Sequence, residues 1–67
     1  MLPEPLTPRE HEILELVAAG LTNDEIAERL SVSSETVKKH ATSIYAKMGV
    51  HSRTQATARA RELGLLE

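Results

Sequence analysis

The sequence predicts an all-α domain of four helices, and three observations carry that prediction. Helix-start signals recur along the 67 residues, each of the three glycines stands just past a helical pattern, and apolar residues repeat at helical spacing with no strand-like alternation. A Ser or Thr followed three residues later by Glu or Gln can satisfy orphan helix N–H groups reciprocally. Thr7-Pro8-Arg9-Glu10 opens a first helix this way, with Pro8 at the position where a missing N–H costs nothing. Thr22-Asn23-Asp24-Glu25 opens a second and Ser52-Arg53-Thr54-Gln55 a fourth, while Ser33 or Ser34 caps the third more simply. The stops are Gly20, Gly49 and Gly64. The helices are therefore expected over Pro8 to Ala19, Asn23 to Leu30, Ser34 to Met48 and Arg53 to Leu63, in a domain spanning 7–67 behind a tail or linker stub at 1–6.

Apolar spacing states how they pack. Ile13, Leu14 and Val17 mark the buried side of the first helix; Ile26, Ala27 and Leu30 mark that of the second. On the third, Val37, Ala41, Ile44 and Met48 form one narrow stripe, and Ala56, Ala60 and Leu63 repeat the idea on the fourth. Leu21, Val32, Val50 and Leu65 should plug the connections, and with Tyr45 the only aromatic residue the core is aliphatic.

Composition removes several classes of function. Cys is absent, so no disulfide or thiolate metal site holds the chain, and three dispersed His offer no metal spacing. Ser, His and Asp occur without a strained elbow or Gly-rich loop, so neither catalysis nor a cofactor is expected. No apolar run is long enough to span a bilayer, and the first residues lack a signal-peptide pattern; a cytoplasmic location is the expectation. The net charge of −2 alone speaks against nucleic acid, yet it averages two unlike halves. Met1 to Leu30 holds two basic and seven acidic residues, whereas Ser31 to Glu67 holds six basic and three acidic. One half is thus suited to meet phosphate.

Only Ser31, Val32 and Ser33 separate the second and third helices, which suits a helix-turn-helix corner rather than an antiparallel hairpin. Ile26, Ala27, Leu30, Val32 and Val37 fall where crossed helices need apolar contact. Opposite the stripe of the third helix, 100° per residue places Glu35, Lys39, Thr42, Ser43 and Ala46, with Lys38 beside them. A slim, polar, partly basic face of this kind fits a DNA major groove, where Lys donates to guanine O6 and N7 and Thr meets a base edge or the thymine methyl.

Together, Leu6-Thr7-Pro8-Arg9-Glu10, Ala19-Gly20-Leu21-Thr22-Asn23, Glu25-Ile26-Ala27, Thr36-Val37-Lys38, His40, Lys47-Met48-Gly49-Val50 and Ser52-Arg53-Thr54-Gln55-Ala56 resemble the LuxR-type (GerE-like) DNA-binding domain. Arg59-Ala60-Arg61-Glu62-Leu63-Gly64-Leu65-Leu66 further resembles the C-termini of large MalT-like regulators. The resemblance implies a four-helix module of a bacterial transcriptional regulator, binding double-stranded DNA through a recognition helix at about 34–48. By position it implies base contacts from Lys38, Lys39 and Thr42, and phosphate contacts from Ser33, Thr36, Lys47, Arg53 and Thr54. It also implies a homodimer surface on the fourth helix, where Thr54, Ala58 and Arg61 lie off the core stripe, and it admits RNA polymerase as a partner. The target sequence and the choice between activation and repression do not transfer.

Two rivals stand beside this reading. A sigma region-4-like domain shares the Glu25-Ile26-Ala27 helix but would carry an Arg-rich end to the third helix, unlike Ala46-Lys47-Met48-Gly49. A protein-interaction module would use the acidic half and be indifferent to Lys38 and Lys39. Three departures from the family pattern carry expectations of their own. Ser31 stands where Gly with positive φ is common, Ala41 is smaller than the usual Leu or Val, and Asp24 replaces a basic residue and so removes a phosphate contact. His40 is expected to pack, partly buried. Glu10 is a candidate to pair with a basic residue of the third or fourth helix.

Overall fold

A computed structural model describes residues 5–66. Of the tail expected over 1–6, residues 1–4 lie outside the described part, as does Glu67; Pro5 is exposed, while Leu6 is half-buried and packs on the core. Four helices follow in order, α1 (Pro8–Ala18), α2 (Asn23–Leu30), α3 (Ser34–Met48) and α4 (Arg53–Glu62), with no strand among the described residues. Two of the four ranges coincide with the sequence expectation. α1 and α4 each stop one residue early because Ala19 and Leu63 serve as C-caps, their own N–H groups bonding back into the last turn.

The starts follow capping chemistry. Thr7 and Thr22 each accept the N–H of the Glu three residues on, and Glu10 and Glu25 return the bond to the Thr N–H, giving two complete boxes. Ser33, not Ser34, caps α3, its Oγ accepting the Thr36 N–H at 3.1 Å. At α4 only half of the expected box forms. Ser52 accepts the Gln55 N–H, but the Gln55 side chain accepts from His51 N–H at 2.8 Å instead of from Ser52. Ser52 has φ −148°, against −70° and −75° at Thr7 and Thr22, and that rotation turns its N–H away from the first turn.

All four helices end in one motif. In each, a left-handed residue donates to the carbonyl three residues back, and the next residue donates to the carbonyl five back: Leu21 to Leu16, Val32 to Ala27, Val50 to Tyr45, Leu65 to Ala60. The donors of the longer bond are the four apolar residues expected to plug the connections, and each packs against the core. The left-handed residues are Gly20, Ser31, Gly49 and Gly64, so the positive φ expected at Ser31 is present at 58°.

The core is aliphatic and continuous, built on Ile13, Leu14, Val17, Ile26, Ala27, Val37, Ile44, Met48, Ala56 and Ala60, with Tyr45 at its margin. Fully burying each of Ile13, Leu14, Ile26, Val37 and Ile44 is worth about 1.5–3 kcal/mol. α1 and α3 each touch the other three helices, whereas α2 and α4 do not touch one another. Ala56 and Ala60, one turn apart, let α4 approach closely. Ala41 is buried yet stands outside the connected cluster.

Candidate nucleic-acid interface

The corner between α2 and α3 is set by Ser31. Its left-handed backbone reverses the chain, Val32 tucks under the turn, and Ser33 starts α3 within three residues of the end of α2. α3 then presents two opposite faces. Val37, Ala41, Ile44 and Met48 point inward, while Glu35, Lys38, Lys39, Thr42 and Ala46 are exposed. Neither the Lys38 nor the Lys39 ammonium has an ion-pair partner among the described residues. The Thr42 hydroxyl donates back to the Lys38 carbonyl at 3.0 Å, which leaves its oxygen able to accept and its methyl outward. Lys38, Lys39 and Thr42 therefore share one open face.

The sequence wheel made this face too wide. Ser43 is only half-exposed, and its hydroxyl donates to Glu10 Oε2 at 2.9 Å, so it belongs to the seam with α1. Glu10 also accepts the Lys47 ammonium at 2.7 Å and the Thr7 N–H at 2.9 Å, both on Oε1. Burial would raise the Glu10 pKa, but the Lys47 ammonium and the Thr7 and Ser43 donors outweigh it and lower it to about 2. Lys47 of α3 is thus the cation that pairs with Glu10.

The five residues expected at phosphates divide into two groups. Ser33 and Thr36 sit together at the start of α3, their hydroxyls 2.9 Å apart, and Thr54 is exposed in the first turn of α4. Lys47 and Arg53 instead hold α1 from its two ends. The Lys47 ammonium lies on Glu10 with its side chain only 18% exposed, and the Arg53 guanidinium donates to the Leu21 and Val17 carbonyls just where α1 stops. A cation on the last carbonyls of a helix is favourable on its own account. Asp24, expected only to subtract a phosphate contact, accepts a hydrogen bond from Ser34 and so ties the start of α2 to the start of α3. His40 is half-buried as expected. His11 bonds the Leu65 carbonyl through Nε2 at 3.0 Å and secures the C-terminal turn. None of these long-range pairs carries a sequence signal, since their members stand 10 to 54 residues apart.

Among the described residues no helix is long and apolar enough to cross a membrane. Residues 4–60 match the family model described as bacterial regulatory proteins, luxR family. The chain is 48% identical over 59 residues to a putative HTH-type transcriptional regulator of Mycobacterium bovis, covering 88% of this chain and 7% of that protein. It is 42% identical over 59 residues to the HTH-type transcriptional regulator MalT of Serratia proteamaculans, covering 88% of this chain and 6% of that protein. The chain thus spans under a tenth of the length of these two relatives. In structure it is similar to the transcription factor GerE, with a TM-score of 0.85, 35% identity and 92% of each chain covered. By these matches and by its four helices, the chain belongs to the luxR family of bacterial regulatory proteins, as a helix-turn-helix domain of the kind that transcriptional regulators carry.

Proposed function

We propose that α3 lies in the major groove of double-stranded DNA, with Lys38, Lys39 and Thr42 meeting base edges. The observation that carries this reading is the shared exposure of those three side chains, with both ammonium groups unpaired among the described residues, on a helix whose opposite face is wholly buried. Ser33 and Thr36 at the start of α3 and Thr54 at the start of α4 supply phosphate contacts, aided by helix N-termini that favour anions. Arg53 adds to the positive field at these positions, although its donors are partly spent on α1, whereas the Lys47 charge is balanced by Glu10. A field of this kind steers the domain to DNA but specifies no sequence.

Thr54, Ala58 and Arg61 are exposed along α4 and form the surface through which two copies meet on a two-fold site. A cytoplasmic location and RNA polymerase as a further partner are part of the same proposal.

Selection of binding sites from random-sequence duplexes tests the base roles. The parent domain should recover one motif, and Lys38→Ala and Thr42→Ala should each change the preferred base at one position, at about 1–3 kcal/mol per lost contact. Recovery of an identical motif by parent and both variants would refute those roles. An inverted repeat in the motif supports the symmetric dimer, and a single half-site counts against it.

A further inference from the structure

Glu10 is the one buried charged side chain among the described residues, at 5% exposure, and reading DNA gives it no task of its own. Its two oxygens take three donors, the Thr7 N–H, the Lys47 ammonium and the Ser43 hydroxyl. Ser43 and Lys47 are one turn apart, so a single carboxylate grips α3 along one edge. The core that α1 and α3 share is otherwise aliphatic, with Ile13, Leu14 and Val17 from α1 and Val37, Ile44 and Met48 from α3. Apolar contact is non-directional and resists separation better than rotation. Ala41, in the middle of the stripe, adds little to that resistance because it stands outside the connected cluster. Hydrogen bonds are directional: the Asp24–Ser34 bond holds the start of α3, and Glu10 defines how far the rest of α3 is rolled about its own axis.

We propose that Glu10 is a positioning residue for the reading face: through Ser43 and Lys47 it fixes the roll of α3, and by holding the Lys47 ammonium it keeps that charge off the phosphates. The inference rests on α3 entering the major groove. Side-chain tips lie about 5–6 Å from a helix axis, so a roll of about 15° displaces them by about 1.4 Å. That is enough to break a base-edge hydrogen bond, whose useful range spans only about 0.5 Å.

The two roles leave signatures of opposite sign. When Glu10 is neutralised, α3 loses its register and discrimination falls, while the released Lys47 reaches phosphate and general DNA binding strengthens. A carboxylate that merely held the fold together would weaken both together.

The 67-residue chain is compared with Glu10→Gln, Ser43→Ala and Lys47→Met, each below its melting midpoint with helicity checked by circular dichroism. Fluorescence anisotropy gives Kd on the duplex selected by the parent and on a scrambled duplex of equal length, over a range of salt. Glu10→Gln should lower the selected-to-scrambled ratio about tenfold, the size of one lost base contact, and steepen log K against log salt on the scrambled duplex by about 0.9. Lys47→Met should lower the ratio without steepening the slope. Ser43→Ala should lower it with the slope unchanged.

An unchanged ratio in Glu10→Gln overturns the positioning role, and an unchanged slope overturns the withholding of Lys47. A proportionate loss on both duplexes reduces Glu10 to a structural residue. If Glu10→Gln does not fold, the Ser43→Ala ratio decides the positioning role. Failure of the underlying DNA reading looks different, because the parent itself would then show no preference between the duplexes and Lys38→Ala would change nothing.

Discussion

Replacing Ser31 with Gly should stabilise the domain, and the size of the gain follows from the four helix stops. Ser31 is the only non-glycine residue with positive φ among the described residues; its counterparts at the same place in the other three stops are Gly20, Gly49 and Gly64. Left-handed backbone costs an L-residue about 1–2 kcal/mol through its Cβ. At the three glycines a Cβ would meet nothing within 4 Å, so the penalty at this motif is one of backbone strain and not of collision. Glycine would relieve that strain but restore about 0.5–1 kcal/mol of freedom to the unfolded chain. The Ser31 hydroxyl makes no hydrogen bond among the described residues and is exposed, so its loss costs little. The net gain is about 0.5–1 kcal/mol, which for a domain of this size raises the melting midpoint by about 2–8 °C. In urea, with a slope of about 1 kcal/mol per molar, the midpoint should rise by about 0.5–1 M with the slope unchanged. Ser31→Val, β-branched in the same conformation, should move both midpoints down. A midpoint for Ser31→Gly equal to or below the parent's would refute the strain argument and with it the claim that the corner is held in a disfavoured conformation.

Two further predictions concern the polar anchors. Because the folded Glu10 pKa is lowered to about 2 from an ordinary 4.5, the bound carboxylate stabilises the fold above pH 4.5, and that contribution is lost as pH falls toward 2. Urea midpoints should therefore show a loss in this window, about 2–3 kcal/mol of it absent from Glu10→Gln; equal acid sensitivity in the two proteins would remove the ionised anchor. Thr22→Ala removes the cap of α2 and should cost about 1 kcal/mol in thermal unfolding, whereas a loss below a few tenths would mean that the exposed box contributes nothing there.

What could be read from the chain before its structure divides by distance along the sequence. The boxes at Thr7 and Thr22, the left-handed Ser31 and the plugs at Leu21, Val32, Val50 and Leu65 all depend on residues within about six positions, and the pattern displays them directly. The inward stripe of α3 was equally plain, because its apolar members recur at helical spacing. The edges of the exposed face were not. A helical wheel does not say how far α1 wraps around α3, so it places Ser43 on the open side although Glu10, 33 residues away, holds it. Lys47 and Arg53 are expected at phosphates from the family resemblance alone, and the pattern does not say which basic residue of the third or fourth helix Glu10 takes. The partners that engage them are a carboxylate 37 residues distant and the backbone carbonyls of Val17 and Leu21, which no side-chain pattern marks. The half-formed box at Ser52 failed on a single backbone angle.

The repeated helix stops have a consequence for how such a domain is handed from protein to protein. Each start and each stop is decided by neighbours on the same short stretch of chain, so the helix boundaries need little guidance from elsewhere, while packing supplies the stability. Chains dominated by local contacts fold in microseconds to milliseconds. A unit of this kind carries its own instructions and can be grafted onto unlike hosts without renegotiating its fold. The same architecture accordingly accounts for 92% of GerE and, by sequence, for only 7% of a large mycobacterial regulator.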